Sequence, residues 1–199
     1  MKLRNVMIDG MFYKEIDVEQ IAEAPKNKLG DVKLGVLVDI GGMVIRPIAH
    51  EGDTTLCLLQ DLYEGGKRFV FGDSGNWAES QIRKELNTEF YEVLAEAVGE
   101  DNICPIKTNL WAWDGTRPYE NCEDKVALLD IDQYRQHRQY IDEKGSYHWL
   151  VTPDGKAWTR GVCIVCDDGT LSSSDCYDDG AVRPFCILKS NILVSEEEK

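Results

Sequence analysis

The last quarter of the chain, residues 147–195, most constrains the fold. It opens on an apolar, aromatic run at residues 147–151 (YHWLV) and closes on residues 180–188 (GAVRPFCIL), with turn-rich, mostly polar sequence between them. Apolar runs bounded by Gly, Asp and Ser clusters are typical of β-strands. This segment therefore predicts two strands that return to one core and carry a polar excursion at the surface. It describes a scaffold that displays a surface, and it shows no catalytic residues at fixed spacing.

The composition limits the partners. The chain has 199 residues, 43% of them hydrophobic, which suits one packed domain. Its 36 acidic and 22 basic side chains give a formal net charge of −14, so a nucleic-acid partner is disfavoured because the phosphate backbone is repelled. No run reaches the roughly 18 apolar residues that span a bilayer, and no apolar signal core follows the first residues. The sequence predicts no membrane insertion and a protein that is cytoplasmic as synthesised.

The first 28 residues predict a separate N-terminal appendage. Asp9-Gly10 lies between two short apolar runs and suits a tight hairpin, because Gly accepts positive φ. Asp17 is a suitable N-cap for a short helix over residues 18–24, which Pro25 ends. Two interpretations remain open. The appendage is either an edge hairpin on the main domain or an attachment element through which the chain forms a homo-oligomer.

The remainder, residues 34–195, predicts one α+β domain. Residues 34–40 and 43–49 form two β-rich runs around Gly41-Gly42, and residues 54–59 supply an apolar third strand. A helix capped by Asn76 follows, with an apolar face of Ile82, Leu86 and Phe90 and a break at residues 87–88. A second helix, capped by Asp130 or Asp132, runs to residue 140.

Several short motifs recur in one order along this domain. They are residues 76–77 (NW), 82–87 (IRKELN), 90–91 (FY), 124–129 (DKVALL), 148–153 (HWLVTP), 164–169 (IVCDDG) and 181–188 (AVRPFCIL). In this order they resemble a family of uncharacterised bacterial and phage proteins with a C-type-lectin-like fold. The resemblance spans residues 34–195. One departure is Val151, which stands where the family usually has Arg, so any salt bridge of that Arg is absent or replaced.

The resemblance implies a fold and a function. The fold is α+β and C-type-lectin-like, with a mixed or antiparallel sheet, two main helices and an irregular loop-rich face. Relatives by fold include the variable proteins of diversity-generating retroelements. The resemblance therefore implies a non-enzymatic ligand-binding display module, encoded by a phage or prophage and carried on the virion. Its partner would be a protein or a cell-surface ligand.

The candidate binding face comprises two stretches of residues 152–158 and 172–179, with Trp111, Trp113 and Tyr119 as neighbours. Aromatic side chains beside small polar ones are typical of adaptable protein-binding surfaces. An ordinary solvated loop is the alternative interpretation. The candidate ligand-binding residues are Thr152, Asp154, Lys156, Trp158, Ser172, Ser173, Ser174, Asp175, Tyr177 and Asp178.

Other chemistry is weaker in the sequence. Cys163 and Cys166 form a CxxC, but they lie in a β-like run, and strand packing is favoured over zinc or redox chemistry. Seven cysteines cannot all pair within one chain, so reduced thiols are expected. The carboxylates near residues 167–179 suit solvated turns better than calcium. We predict no cofactor, metal or catalytic residue. The alternative function is a metal-dependent enzyme or a calcium-dependent sugar-binding lectin.

The closing strand carries three further predictions. Trp149 and Val182 should be buried. Arg183 should be held by a carboxylate or by backbone carbonyl groups. Gly180 should supply a positive φ that turns the chain into the final strand.

Overall fold

The computed structural model describes residues 4–8, 11–15 and 26–196. Its strands, in chain order, are β1 (Arg4–Ile8), β2 (Met11–Glu15), β3 (Lys26–Lys28), β4 (Val38–Ile40), β5 (Met43–Glu51), β6 (Thr54–Leu59), β7 (Arg68–Val70), β8 (Ile103–Cys104), β9 (Ile106–Thr108), β10 (Cys122–Asp124), β11 (Val126–Ala127), β12 (His148–Gly155), β13 (Trp158–Val165), β14 (Leu171–Asp175), β15 (Asp179–Ala181), β16 (Phe185–Lys189) and β17 (Leu193–Glu196). The helices are α1 (Gln81–Glu85), α2 (Tyr91–Val98) and α3 (Ile131–His137). The chain is thus an α+β protein, as the sequence predicts.

The N-terminal strands β1 and β2 pair antiparallel, with Ile8 opposite Met11. Residues 9–10, where the hairpin turn is predicted, lie outside the described residues. The helix predicted over residues 18–24 lies outside the described residues. Strand β3 belongs to the larger sheet, where it pairs with β17, so the last residues assigned to the appendage are part of that sheet.

The larger sheet joins the beginning and the end of the main domain. Across the described residues its strand order is β11-β16-β6-β5-β4-β17-β3, with β8 also paired to β16. The apolar strand β6 lies in its interior, and the four residues 55–58 are buried, as expected for a strand covered on both faces. The glycine turn at Gly41-Gly42 joins β4 to β5, and both glycines have positive φ.

The smaller sheet carries the surface of interest. Its described strands run in the order β14-β13-β12-β15-β7. The pairing of β12 with β15 is parallel and the other pairings are antiparallel, so the sheet is mixed. Among the described strands, β14 lies at one edge and pairs with β13.

The first helical segment is continuous where a break was expected. Ser80 caps α1, since its Oγ accepts from the backbone N of Arg83, while Asn76 caps the preceding 3-10 turn Trp77–Glu79. A π-helical stretch, Leu86–Phe90, joins α1 to α2. Asn87 explains it: its side chain accepts from the backbone N of Lys125 (2.8 Å) and donates to the carbonyl of Val126 (2.8 Å). The residue expected to break the helix instead fastens it to β11.

The second helix matches its prediction closely. Asp130 caps α3, and Gln133 completes a reciprocal capping box with it. A 3-10 turn, Arg138–Tyr140, extends the helix to residue 140. No helix in the described part of the chain is long and apolar enough to cross a membrane.

The core contains a line of large aromatic side chains. Trp77, Phe71 and Trp149 are buried, with ring centroids 6.0 Å apart for the first pair and 5.5 Å for the second. Each indole N–H is satisfied: Trp77 donates to Asp124 Oδ2 (2.9 Å) and Trp149 donates to the carbonyl of Phe69 (2.9 Å). The predicted burial of Trp149 and Val182 is confirmed.

Arg183 closes the core as the sequence predicts. The residue is 2% exposed. It donates to the carbonyl oxygens of Leu59 (3.1 Å) and Asp142 (3.0 Å) and to Asp142 Oδ1 (2.5 Å). Both a carboxylate and backbone carbonyls therefore hold the guanidinium. Val151 is buried, and its backbone N donates to the carbonyl of Leu129 (3.1 Å).

Candidate ligand-binding surface

The platform of the candidate site is the β12–β13 hairpin. Its register shifts twice, between Trp149 and Pro153 and between Pro153 and Gly155. Such irregularities bend a strand and redirect its side chains. The hairpin ends with Gly155 opposite Trp158, which places Trp158 where the hairpin meets solvent.

A second segment, residues 109–121, docks on the hairpin tip. The backbone N of Trp113 donates to the carbonyl of Pro153 (2.8 Å), and that of Asp114 donates to the carbonyl of Asp154 (3.3 Å). Asp114 Oδ2 accepts in return from the backbone N of Lys156 (3.3 Å). The backbone of the tip is therefore tied to the segment that carries Trp113.

Two glycines allow this close approach. A Cβ at Gly155 would lie 2.5 Å from Asp114 Oδ2, so no larger residue fits there without moving that carboxylate. A Cβ at Gly161 would collide with the indole of Trp158 and would lie 2.7 Å from Cβ of Asp154. The Trp158 ring thus lies directly over the backbone of Gly161, next to Asp154.

The result is a depression between two tryptophans. Trp113, Asp114, Asp154, Gly155, Ala157 and Trp158 line a volume of about 360 Å³. Trp113 and Trp158 are 40% and 38% exposed. We call this feature the Trp113–Trp158 depression.

The depression has two carboxyl groups, those of Asp114 and Asp154, in different surroundings. Hydrogen bonds from the Oγ1 (2.6 Å) and backbone N (2.9 Å) of Thr116 to Asp114 Oδ1 lower the pKa of that carboxyl. The side chain of Asp154 is half-buried, and within the described residues it has neither an ion pair nor a hydrogen bond. Asp154 therefore presents an uncompensated charge beside two aromatic faces.

Other aromatic side chains continue the surface. The hydroxyl of Tyr119 donates to the carbonyl of Thr159 (3.1 Å), beside Trp158. Arg160 lies 5.5 Å from the ring centroid of Tyr177, which is 53% exposed. We call Trp113, Tyr119, Trp158 and Tyr177 together the aromatic surface. Trp111 flanks it, with the guanidinium of Arg117 3.8 Å from its ring centroid.

The predicted binding residues divide by exposure. The exposed ones are Lys156, Trp158, Ser172, Tyr177 and Asp178, and the half-buried ones are Asp154, Ser173, Ser174 and Asp175. Thr152 is a correction. Its side chain is buried, and its hydroxyl accepts a hydrogen bond from the backbone N of Ile131 (2.9 Å), so it positions α3 and is not available to a ligand.

Residues 172–179, which belong to the predicted polar excursion at the surface, begin within a strand. Ser172, Ser173 and Ser174 lie within the edge strand β14, and only the following residues turn. That turn is well bonded: Asp178 Oδ2 accepts from the Oγ of Ser174 (2.6 Å) and from the backbone N of Asp175 (3.2 Å). Strand pairing fixes the backbone of the serines, and hydrogen bonds within the turn fix the backbone that follows. Tyr177 therefore projects from a fixed backbone.

The cysteines lie mostly in the interior. Cys163 is buried in β13, and burial raises the pKa of its thiol to about 12, so it is not a thiolate at neutral pH. Cys166 follows the strand and is half-buried. In the described part of the chain, no group of three or more His, Cys, Asp or Glu side chains is arranged to hold a metal ion.

The arginines of the surface were missed by the sequence reasoning. Arg135 comes from α3 and lies 6.0 Å from the Trp113 centroid, while Arg160 lies within β13 and pairs with Asp175 (3.0 Å). No local spacing brings Arg135 to Trp113, because tertiary packing alone makes that contact. The clustering of Trp113 and Tyr119 with the hairpin, by contrast, agrees with the neighbours expected from the sequence.

Fold and site together define an α+β protein with an exposed aromatic surface on a mixed sheet. The chain matches no family model, no curated protein and no solved structure. Its function is therefore inferred from the chemistry and geometry of the surface.

Proposed function

We propose that this protein is a non-enzymatic binding module that recognises a protein ligand through its aromatic surface. The observation that carries the proposal is the exposure of Trp113, Trp158 and Tyr177 on a backbone fixed by strand pairing and hydrogen bonds. Aromatic side chains dominate the energetics of protein interfaces because they bury large areas at a small cost in conformational entropy. A rigid support lowers the entropic cost of association further.

The scaffold we propose for this surface is C-type-lectin-like. Three features support it: β3, β4 and β17 lie side by side in one sheet, two helical segments flank the strands, and a smaller irregular sheet carries the exposed aromatics. Together with the sequence motifs, they favour kinship with phage-encoded display proteins, including the variable proteins of diversity-generating retroelements. In such a module the core strands fix the backbone while exposed side chains change at little cost to stability.

The test is selection from a random peptide library displayed on beads. Peptides enriched on the parent protein are then measured by fluorescence anisotropy against a triple variant, Trp113→Ser, Trp158→Ser and Tyr177→Ser. We expect the triple variant to weaken binding at least tenfold, because several partly exposed aromatics of this kind commonly act as anchors. Leu193→Ser is the matched control, because Leu193 is also exposed and apolar but lies on β17 of the other sheet.

The outcomes separate clearly. Selected peptides that bind the Leu193→Ser protein normally and the triple variant weakly support the proposal. Peptides that bind the triple variant as tightly as the parent would show that recognition uses another surface, and the proposed function would then be abandoned. Far-UV circular dichroism and a melting curve establish that each variant is folded.

A further inference from the structure

The Trp113–Trp158 depression has an unusual lining. Two indole rings and two carboxylates surround it, and its remaining residues, Gly155 and Ala157, offer no polar side-chain atom. No hydroxyl, amide or basic side chain is among the lining residues. The depression therefore offers π faces and negative charge, and little other recognition chemistry.

We infer that this depression binds an organic cation, specifically a lysine or arginine side chain of the protein ligand. The inference rests on the proposed function and adds the chemistry of the contact. A cation beside the face of Trp is attracted by the negative quadrupole of the ring, and an adjacent carboxylate adds a direct Coulomb attraction. Indole is the strongest of the aromatic side chains in this role.

The distribution of resident arginines points the same way. Three exposed aromatic rings already have a guanidinium nearby: Arg117 at 3.8 Å from Trp111, Arg160 at 5.5 Å from Tyr177 and Arg135 at 6.0 Å from Trp113. Within the described residues, no lysine or arginine lies over Trp158. Trp158 is thus the exposed indole whose face is left for a cation from outside.

The local charges favour that cation. The unpaired carboxylate is that of Asp154, and the carboxyl of Asp114 stays ionised through its hydrogen bonds with Thr116. Arg135, the resident cation beside Trp113, pairs with Asp132 at 3.4 Å. The net charge of −14 attracts a basic partner at long range.

A sugar is the competing occupant, since sugars also stack on tryptophan. Their recognition, however, needs several hydrogen-bond donors as well as acceptors around the ring. Among its lining side chains the depression has two carboxylate acceptors and, as donors, two indole N–H groups, and one of the carboxylates, Asp114, already accepts from Thr116 and Lys156. The chemistry therefore fits a basic side chain better, and a sugar becomes an outcome of the test.

The probes are Nα-acetyl-lysine methylamide, the nearly isosteric neutral Nα-acetyl-norleucine methylamide, and methyl glucoside. Each is titrated into the full chain while the indole N–H signals are followed by NMR. We expect the lysine derivative to shift the Trp158 and Trp113 signals saturably, and the norleucine derivative to bind at least tenfold more weakly. Asp154→Asn should weaken lysine binding about fivefold to tenfold. Trp111→Phe should leave it unchanged, because Trp111 lies outside the depression and has its own arginine.

Salt provides a second measurement that needs no variant. Raising the ionic strength from about 0.05 M to 0.5 M should weaken lysine binding and leave norleucine binding unaffected, because salt screens charges. Equal affinity for the two amino-acid derivatives, no loss in Asp154→Asn, or saturable binding of the glucoside without the lysine derivative would each overturn the inference.

The library peptides distinguish this inference from the proposed function. If peptides lose affinity for the triple aromatic variant and bind Asp154→Asn as tightly as the parent, the proposed function is supported. The inference that the depression binds a basic side chain is then overturned. If the lysine derivative binds and no peptide depends on the aromatic surface, the proposal of a protein ligand is overturned. The depression is then a site for a free small cation. Peptides that share a Lys or Arg and respond to both changes support both proposals.

Discussion

Gly180 lies directly against the indole of Trp149, where a Cβ atom would sit 2.5 Å from Nε1 and 2.6 Å from Cε2. The sequence predicts that Gly180 adopts a positive φ. Its φ in the structure is not in the left-handed region. A glycine is needed here because a side chain would overlap the indole of Trp149. Gly180 pairs with Phe69 across β15 and β7, and the Trp149 indole donates to the carbonyl of the same Phe69, which holds the ring against Gly180.

Gly180→Val should therefore destabilise the fold through overpacking, by about 1–3 kcal/mol in the free energy of unfolding. Gly72→Ala is the matched control, because its added Cβ would meet its nearest neighbour at an ordinary 3.5 Å and its φ is not positive. Chemical denaturation of both variants and the parent measures the difference. A Gly180→Val protein that unfolds with the parent would show that Trp149 moves freely, against the packing described.

Arg183 and Asp142 form the ion pair that closes the core, and removing the acid should be costly. Asp142→Asn leaves the buried guanidinium without its compensating charge, and breaking such pairs costs several kcal/mol when both partners are buried. Since the side chain of Asp142 is 34% exposed, solvent reduces the expected loss to about 2 kcal/mol. Asp132→Asn, which removes an exposed partner of Arg135, should change stability by less than about 1 kcal/mol. Equal losses in the two variants would contradict the structural role of Arg183.

The parts of the fold that could be predicted are those set by local pattern. The cap at Asp130, the glycine turn at residues 41–42 and the burial of Trp149 all follow from neighbours in sequence, and all are confirmed. Asn87 was misread because two of its hydrogen-bond partners, residues 125 and 126, lie almost forty positions away. A break and a π-helical stretch have the same local signal, and only the distant strand decides between them.

The candidate site was predictable in its aromatics and not in its geometry. Trp158 and Tyr177 are exposed, as display residues must be. Thr152 faces inward, where its hydroxyl accepts a hydrogen bond from the backbone N of Ile131, the first residue of α3. The inward orientation of Thr152 could not be predicted from the alternation of residues along β12, because the register shifts of this strand disturb the period of two. Arg135 and Arg160 lie on other elements than the rings they contact, so no sequence spacing predicts these contacts.

His148 should make the fold sensitive to mild acid. It is buried, its Nδ1 has no hydrogen-bond partner within the described residues, and burial followed by repulsion from Arg183 lowers its pKa to about 4. The unfolded chain, with an ordinary histidine pKa of about 6.5, binds the proton more readily, so stability falls as pH drops from about 6.5 towards 4. Across this range the loss from His148 should approach roughly 3 kcal/mol.

The measurement is a series of melting curves between pH 7.5 and 4.5 for the parent and for His148→Gln. The neutral variant is expected to lose less stability over this interval, whatever its stability at pH 7.5, because glutamine does not take up the proton. Parallel curves for the two proteins would assign the acid sensitivity to other groups.

The last prediction separates display from structure at Tyr177. The residue is 53% exposed, and the turn that carries it is held by other groups: Asp175 Oδ1 accepts from the backbone N of Tyr177 (3.1 Å), and Asp175 Oδ2 pairs with Arg160 (3.0 Å). Tyr177→Ala should therefore change the free energy of unfolding by less than about 1 kcal/mol. The same variant should weaken the library-selected peptides about tenfold or more, because an exposed tyrosine on a fixed turn is suited to be an interface anchor.

Tyr134→Ala is the matched comparison, because Tyr134 is buried in α3 and its hydroxyl donates to the carbonyl of Gly169 (2.8 Å). This change should cost about 3–5 kcal/mol as a large-to-small substitution in the core. Asp175→Ala should lie between the two, near 1 kcal/mol, since it removes one hydrogen bond and one partly exposed ion pair. Denaturation curves of the three variants give the order directly. If Tyr177→Ala unfolds as early as Tyr134→Ala, the turn at Tyr177 belongs to the core, and the aromatic surface loses that residue.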